Sequence, residues 1–266
     1  MIEVLGWGVG GMVVDLGIVG RAWLGSPRGG AVDADALAFA NRLVGNMSHA
    51  RGFESCGGLV FRLRRAATVA VTGGVAVIEV VDGPPLGAST PVSLPAHATV
   101  RIGAISDGCR VYVAVRGGLA LPKDDVVAVG ADPLTALHPD AAVRPLPAPE
   151  LTIWPGPRLD WFVDDTWQQL LARPWRVGAS SRVGVRLEGT PLIRLRRGEL
   201  PSEGIVEGAI QVPPDGQPIV MLADHPTTGG YPVVAVVDPA DLAAAAQARP
   251  GGEIVMRGAR RRTVGP

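Results

Sequence analysis

The sequence predicts a mainly β chain of two domains, and three observations carry that prediction. Short apolar runs of strand rather than helix length recur from end to end. Between them stand many of the chain's 36 glycines and 24 prolines, without a collagen-like period, as turns between strands require. A proline-rich break, Arg144-Pro145-Leu146-Pro147-Ala148-Pro149, separates strand-rich halves at 1–145 and 150–266. Each half is long enough to bury a core of its own.

Composition narrows the function classes. Lys plus Arg equals Asp plus Glu at 25 each, so nothing favours nucleic-acid binding driven by net charge. Aromatics are only 5% against 47% apolar residues, which leaves Val, Ala and Leu to fill the core. The apolar N-terminus carries Glu3 and Asp15 and lacks a basic leader region. No uninterrupted apolar run reaches the roughly 18 residues a membrane span needs. The expectation is a cytoplasmic protein with no membrane association. Cys56 and Cys109 lack metal-ligand spacing and read as small hydrophobes; no metal site is predicted.

Taken in order, residues 2–14 read as short strands interrupted by Gly6, Gly8, Gly10 and Gly11. Residues 15–33 are rich in glycine but match neither the dinucleotide fingerprint nor the phosphate-binding P-loop. This stretch is either a structural loop or a pocket wall with Arg28 as an anion contact. Asp33 can cap a helix through Val44, whose packed face is Ala36, Leu37, Ala40, Leu43 and Val44, and Gly45 stops it. Asn41, at the margin of that face, is placed to bond a neighbouring loop. From Phe53 the chain reads as strands at 59–63, 68–71, 75–81, 99–102 and 111–115. Glu54 reads either as a surface cap or as facing back toward the helix or a cleft, and Tyr112 reads as an edge aromatic. Arg116 is equally a solvated strand-end charge or an anion contact.

After the break come a strand at 151–154 and a helix capped by Asp160 that reaches about Leu171, packed through Val163, Trp167 and Leu170. Trp161 and Trp167 read as packing residues. In 192–196 the alternation points Ile193 and Leu195 inward and Arg194 and Arg196 outward. A buried strand at 219–223, another at 233–237, a helix from Asp238-Pro239 and a last strand at 253–257 follow. Arg260, Arg261 and Arg262 read as an exposed basic tail.

The stretch from Ser202 to Pro232 gathers short or planar hydrogen-bonding groups where strands end: Ser202, Glu203, Glu207, Gln211, Asp224, His225 and Thr227. They either satisfy turns of a hairpin system or form a ligand or catalytic surface. Their spacing names no reaction.

Ordered matches extend over almost the whole chain. They include Asp15-Leu16-Gly17, Pro27-Arg28, Gly30-Ala31, Asp33, Leu43-Val44-Gly45-Asn46, Glu54 and Arg116-Gly117-Gly118. The C-terminal set is stronger: Arg182-Val183-Gly184, Arg186-Leu187, Ser202-Glu203-Gly204, Gly208-Ala209-Ile210-Gln211-Val212-Pro213, Ala223-Asp224 and Thr227-Thr228-Gly229-Gly230-Tyr231-Pro232. On these residues the chain resembles the carboxyltransferase/allophanate-hydrolase-subunit-2 family, which includes one component of bacterial ATP-dependent 5-oxoprolinase and a region of urea carboxylase. The resemblance implies two cyclophilin-like β-barrel domains with short helices. It also implies a companion subunit-1-like carboxyltransferase/allophanate hydrolase chain and, in the 5-oxoprolinase system, a LamB/YcsF-like subunit. The leading function it implies is a subunit of a hydrolase assembly that uses ATP to open 5-oxo-L-proline, a small amide, to L-glutamate. The alternatives are a component of a biotin-dependent urea or amide carboxyltransferase, and a non-catalytic binding or regulatory subunit. No nucleotide loop or biotin-attachment motif is recognisable, so ATP or biotin would enter through the assembly.

Lactam opening needs proton transfer and stabilised oxygen charge. Asp224, Glu203 and His225 are the catalytic candidates; Arg28, Arg182, Arg186, Gln211, Thr227 and Thr228 are the substrate-binding ones. Asp224 is expected beside Arg182 or Arg186 and the 227–230 loop. The chain departs from the family pattern at Val14, Ile18, Gly29, His225 and Pro226, and residues 119–145 are shortened.

Overall fold

The computed structural model describes residues 1–138, 145–196, 198 and 200–259; Arg144 of the break and the arginines at 260–262 lie outside them. The fold is mainly β with few short helices, as the sequence predicts. It divides into two compact units between Leu146 and Pro147, but Ile18–Val32 belongs to the second. This strap differs from the split at 145–150 read from the sequence. Its Gly29 N–H donates to Ala223 O at 3.0 Å, and Val32, 3% exposed, lies in the C-terminal core.

The first unit is an eight-stranded sheet curled into a half-barrel. Its main path runs Met12–Val14, Gly52–Ser55, Thr99–Val115, Val60–Leu63, Ile2–Gly6, Val126–Val127. Ala67–Val80 pairs with Thr99–Val115 and with Val92–Leu94. Two pairs of expected strands therefore merge into two long ones. Register shifts between Gly73 and Ile78, with Gly73 at φ +91°, bend the strand without ending it.

The helix Ala34–Leu43 forms where its spacing predicts. Asp33 Oδ1 accepts from the Ala36 N–H at 3.0 Å, and Phe39, Ala40 and Leu43 pack on Ala70 and Ala114. Asn41 is fully buried and donates to Ala50 O at 2.7 Å. It also accepts from Asn46, which donates in turn to Val115 O. Arg116 fits neither sequence reading. It donates to Val44 O at 2.9 Å and holds Asp132 with two nitrogens, so it braces the helix end.

Glu54 and Tyr112 are corrections. Thr99–Val115 is flanked by Gly52–Ser55 on one side and Ala67–Val80 on the other, so its residues are central. Glu54, directly opposite Tyr112 in register, is 1% exposed and lies 3.8 Å from Arg110. The Tyr112 hydroxyl accepts from the Asp33 N–H at 2.8 Å; burial first, then the Glu54 charge, pushes its pKa well above the usual value.

The second unit is a closed seven-stranded barrel in the order Trp175–Ser180, Gly184–Glu188, Ile219–Met221, Ala209–Gln211, Val233–Val237, Glu150–Pro155, Glu253–Gly258. Only the pair Glu253–Gly258 and Glu150–Pro155 is parallel. Alternation sends Leu151, Ile153, Val185, Leu187, Ile254 and Met256 inward. The expected helix from Asp160 is two elements, a 3-10 turn Leu159–Trp161 and a helix Thr166–Ala172. Between them Phe162 is extended and drops its ring into the core. Residues 193–195 invert the predicted alternation, while Arg196 points outward as predicted. Leu192 enters the core, leaving Ile193 and Leu195 exposed at 62% and 60%, while Arg194 turns in to donate to Val212 O. A slip of one residue exchanges the two faces. No helix among the described residues is long and apolar enough to cross a membrane.

Candidate functional site

The strand Ile219–Met221 pairs with Gly184–Glu188 on one side and Ala209–Gln211 on the other, so its C-terminal end is held rigidly. Leu222 N–H donates to Val183 O at 2.9 Å and Asp224 N–H to Arg182 O at 3.0 Å. These bonds set Asp224 opposite Arg182. The guanidinium then grips both carboxylate oxygens, Nε to Oδ2 at 2.7 Å and Nη2 to Oδ1 at 3.0 Å. The same Nη2 donates to Gly30 O at 2.6 Å, tying the pair to the strap. Arg182 is largely buried at 17% side-chain exposure, whereas Asp224 keeps 36%. A half-buried carboxylate is thus fixed by a less exposed cation.

The strap brings a second pair. Arg28 donates to Glu207 through Nε and Nη2 at 2.7 and 2.8 Å, and to Ala31 O at 3.1 Å. Arg28 and Glu207 are both mostly buried. Arg28 is therefore a tie between strap and barrel, with its charge already matched. Gly29, at φ +65°, lies against the first pair: a Cβ there would stand 4.0 Å from Asp224 Oδ1.

The remaining predicted residues divide. Glu203 and Thr228 meet in a two-stranded ribbon, with Glu203 opposite Gly229 and Gly204 opposite Thr228. Thr227 O accepts from the Ile205 N–H at 2.9 Å. Glu203 is gripped by Arg158, and that side-chain bond lowers its pKa below the ordinary 4.5. Gln211 is buried under the ribbon and donates to Tyr231 O at 3.0 Å. His225 is 5% exposed, with Nδ1 2.8 Å from Pro226 O, so its ring faces backbone. Arg186 is paired with Asp215 and is not a partner of Asp224. It alternates with inward Val185 and Leu187, which turns it off the barrel interior.

Sequence reasoning missed Arg158 as the partner of Glu203 and left Glu207 without a role. Their partners lie 45 and 179 residues away, and nothing local signals either contact. Concavities of 390 and 440 Å³ open on the first unit, lined respectively by Arg65, Thr68, Ser93 and Arg116 and by Asp15, His49 and Arg51; none of the catalytic or substrate-binding candidates lines them. Among the described residues no group of three or more His, Cys, Asp or Glu could hold a metal.

Comparison with known proteins gives a consistent set of matches. The family model described as carboxyltransferase domain, subdomain A and B, matches residues 24–127 and 118–257. The C component of 5-oxoprolinase from Escherichia coli (strain K12) is 30% identical, with 91% of this chain and 86% of that protein covered. Lachancea kluyveri urea amidolyase is 27% identical over 90% of this chain but only 16% of its own length. The crystal structure of TTHA0988 superposes with a TM-score of 0.85 at 34% identity, covering 96% of this chain and 55% of that one. The chain thus spans about half the length of that solved relative.

Proposed function

We propose a function from one premise: the chain belongs to the carboxyltransferase domain family, subdomain A and B. It serves as one component of an ATP-dependent assembly that opens 5-oxo-L-proline to L-glutamate. The observation that carries the reading is Asp224, a half-buried carboxylate held on both oxygens by a mostly buried arginine. The 30% identity to the C component of 5-oxoprolinase in both Escherichia coli and Haemophilus influenzae supports it.

Ring opening breaks the amide C–N bond. Water adds its oxygen to the carbonyl carbon and gives up a proton, and the ring nitrogen leaves protonated. Each Asp224 oxygen keeps acceptor capacity beyond its bond to Arg182, so this carboxylate takes the proton from water and returns it to the nitrogen. Arg182 acts as a positioning group. Glu203, its pKa lowered by Arg158, is ionised at neutral pH and serves as an acceptor. Thr227 and Thr228 contribute hydroxyls from the adjoining ribbon.

ATP supplies the driving force within the assembly, and this sequence has no recognisable P-loop. Biotin attaches through a lysine, and the chain's single lysine, Lys123, stands between Pro122 and Asp124 in a turn. A second reading, carboxyl transfer to urea, draws on the match to urea amidolyase.

The test is Asp224→Asn in an assembly reconstituted with the subunit-1-like and LamB/YcsF-like chains. Turnover of 5-oxoproline should fall by roughly 10²–10⁴-fold with folding and partner affinity retained. Full turnover by a normally assembled variant overturns the assignment. Turnover of urea in place of 5-oxoproline selects the second reading.

A further inference from the structure

The chain's two cysteines take no part in the site described above, yet the fold of the first unit brings them together. Ser55 lies directly opposite Val111, so the next residues along those antiparallel strands are Cys56 on one and Arg110 and Cys109 on the other. A bulge intervenes at that point. From Gly73 to Val75 is two steps, but their partners Val111 and Asp107 are four apart, and Gly108 within that span has φ +74°. Extra residues in one strand re-aim side chains that regular alternation would send to opposite faces. The outcome here is a hydrogen bond between the Cys56 and Cys109 thiols.

The pair is both fixed and reachable. Backbone bonds hold the turn at Cys56, whose own N–H donates to Val9 O at 2.8 Å while the Gly58 N–H donates to Ile102 O at 2.9 Å. Both cysteines are only half-buried. Beside Cys56 stands the exposed Gly10, where even an added Cβ would lie 3.7 Å from Sγ, so no side chain from that residue shields the sulfur. The bond to Cys109, and then burial, pushes the Cys56 thiol up, so within the pair Cys109 is the sulfur that ionises. A reachable thiolate next to a second thiol is the arrangement that oxidation selects.

We propose that Cys56 and Cys109 form a reversible dithiol–disulfide site whose oxidant is a hydroperoxide, hydrogen peroxide being the simplest. The Cys109 thiolate attacks one peroxide oxygen. The O–O bond breaks, leaving a sulfenic acid on Cys109 and a hydroxide that takes up the proton Cys109 released. The Cys56 sulfur then attacks the sulfenic sulfur; the S–S bond forms, the S–O bond breaks and water leaves. In all, two thiols lose two electrons and two protons, and one hydrogen peroxide becomes two waters. The site is independent of the amide-opening reading, which uses neither cysteine.

The experiment exposes the folded chain to excess hydrogen peroxide, counts its thiols and weighs it. With two cysteines present, the thiol titre should fall from two to none. The monomer should lose about 2 Da, the two hydrogens removed, and dithiothreitol should restore both thiols. In Cys56→Ser, Cys109 should yield a sulfenic acid that dimedone traps. Cys109→Ser should lose its remaining thiol at least about 10-fold more slowly than the wild type. Two thiols surviving in the folded wild type overturn the inference. So do oxygen gained irreversibly without a disulfide, and disulfide-linked dimers in place of the lighter monomer. Equal rates of thiol loss in the two single variants overturn the assignment of Cys109 as the attacking sulfur.

Discussion

Gly29 shows how a single residue sets the limits of the site. At φ +65° it occupies a conformation that costs an L-residue about 1–2 kcal/mol, although the space beside it is open as far as Asp224 Oδ1 at 4.0 Å. Gly29→Ala should therefore lower stability to denaturant by that amount without distorting the barrel. A loss several times larger would show that a contact had been missed. Glu203 gives a second prediction at this scale, with a sign fixed by its environment. The Arg158 bond lowers its folded pKa, so its contribution is complete above 4.5 and is lost as pH falls through the lowered folded value. Asp238 behaves likewise below 3.8, where the Ala240 N–H and then Trp154 hold its carboxylate. The melting temperature should drop in acid, and Arg158→Ala should lower it at pH 7 by an amount that shrinks as the pH falls below 4.5. A difference that stays constant as the pH falls contradicts this origin. That Asp224 would meet an arginine, Arg182 or Arg186, was legible in the sequence because the ordered match sets it just after a short apolar strand. The choice between Arg182 and Arg186 was not, since it depends on strand parity, which puts Arg186 beside Asp215.

At the scale of elements, the helix Ala34–Leu43 was readable from its cap, its spacing and Gly45. The strap was not. Residues 18–32 have no apolar period that says which half they pack on, and their anchors are charges matched across 179 residues. Glu207→Gln removes the charge partner of a mostly buried Arg28 and should cost roughly 1–3 kcal/mol. Hydrogen exchange should speed at Ile18 and Gly29, whose amides close the loop. Unchanged exchange at those amides would mean that the backbone bonds alone hold the strap. Glu54 and Tyr112 were misplaced for a related reason: a strand's position in its sheet depends on neighbours distant in sequence, and here both sides of Thr99–Val115 are occupied. The merged strands reflect glycines that bend a strand in one context and end it in another.

For the whole molecule, turn-separated apolar runs conveyed the mainly β class, and the ordered motifs conveyed the family. The resemblance those motifs carry also implied barrels, but the apolar runs alone could not show closure, because a parallel pairing of Glu253–Gly258 with Glu150–Pro155 joins strands about 100 residues apart. The central claim is that this chain performs amide opening only as part of an assembly. The most direct measurement is L-glutamate release from 5-oxo-L-proline with ATP, comparing the reconstituted set, the set lacking this chain, and this chain alone. Glutamate release by the complete set, and by neither of the others, is the predicted result. Release at the same rate by the set without this chain, or by this chain alone, would contradict it.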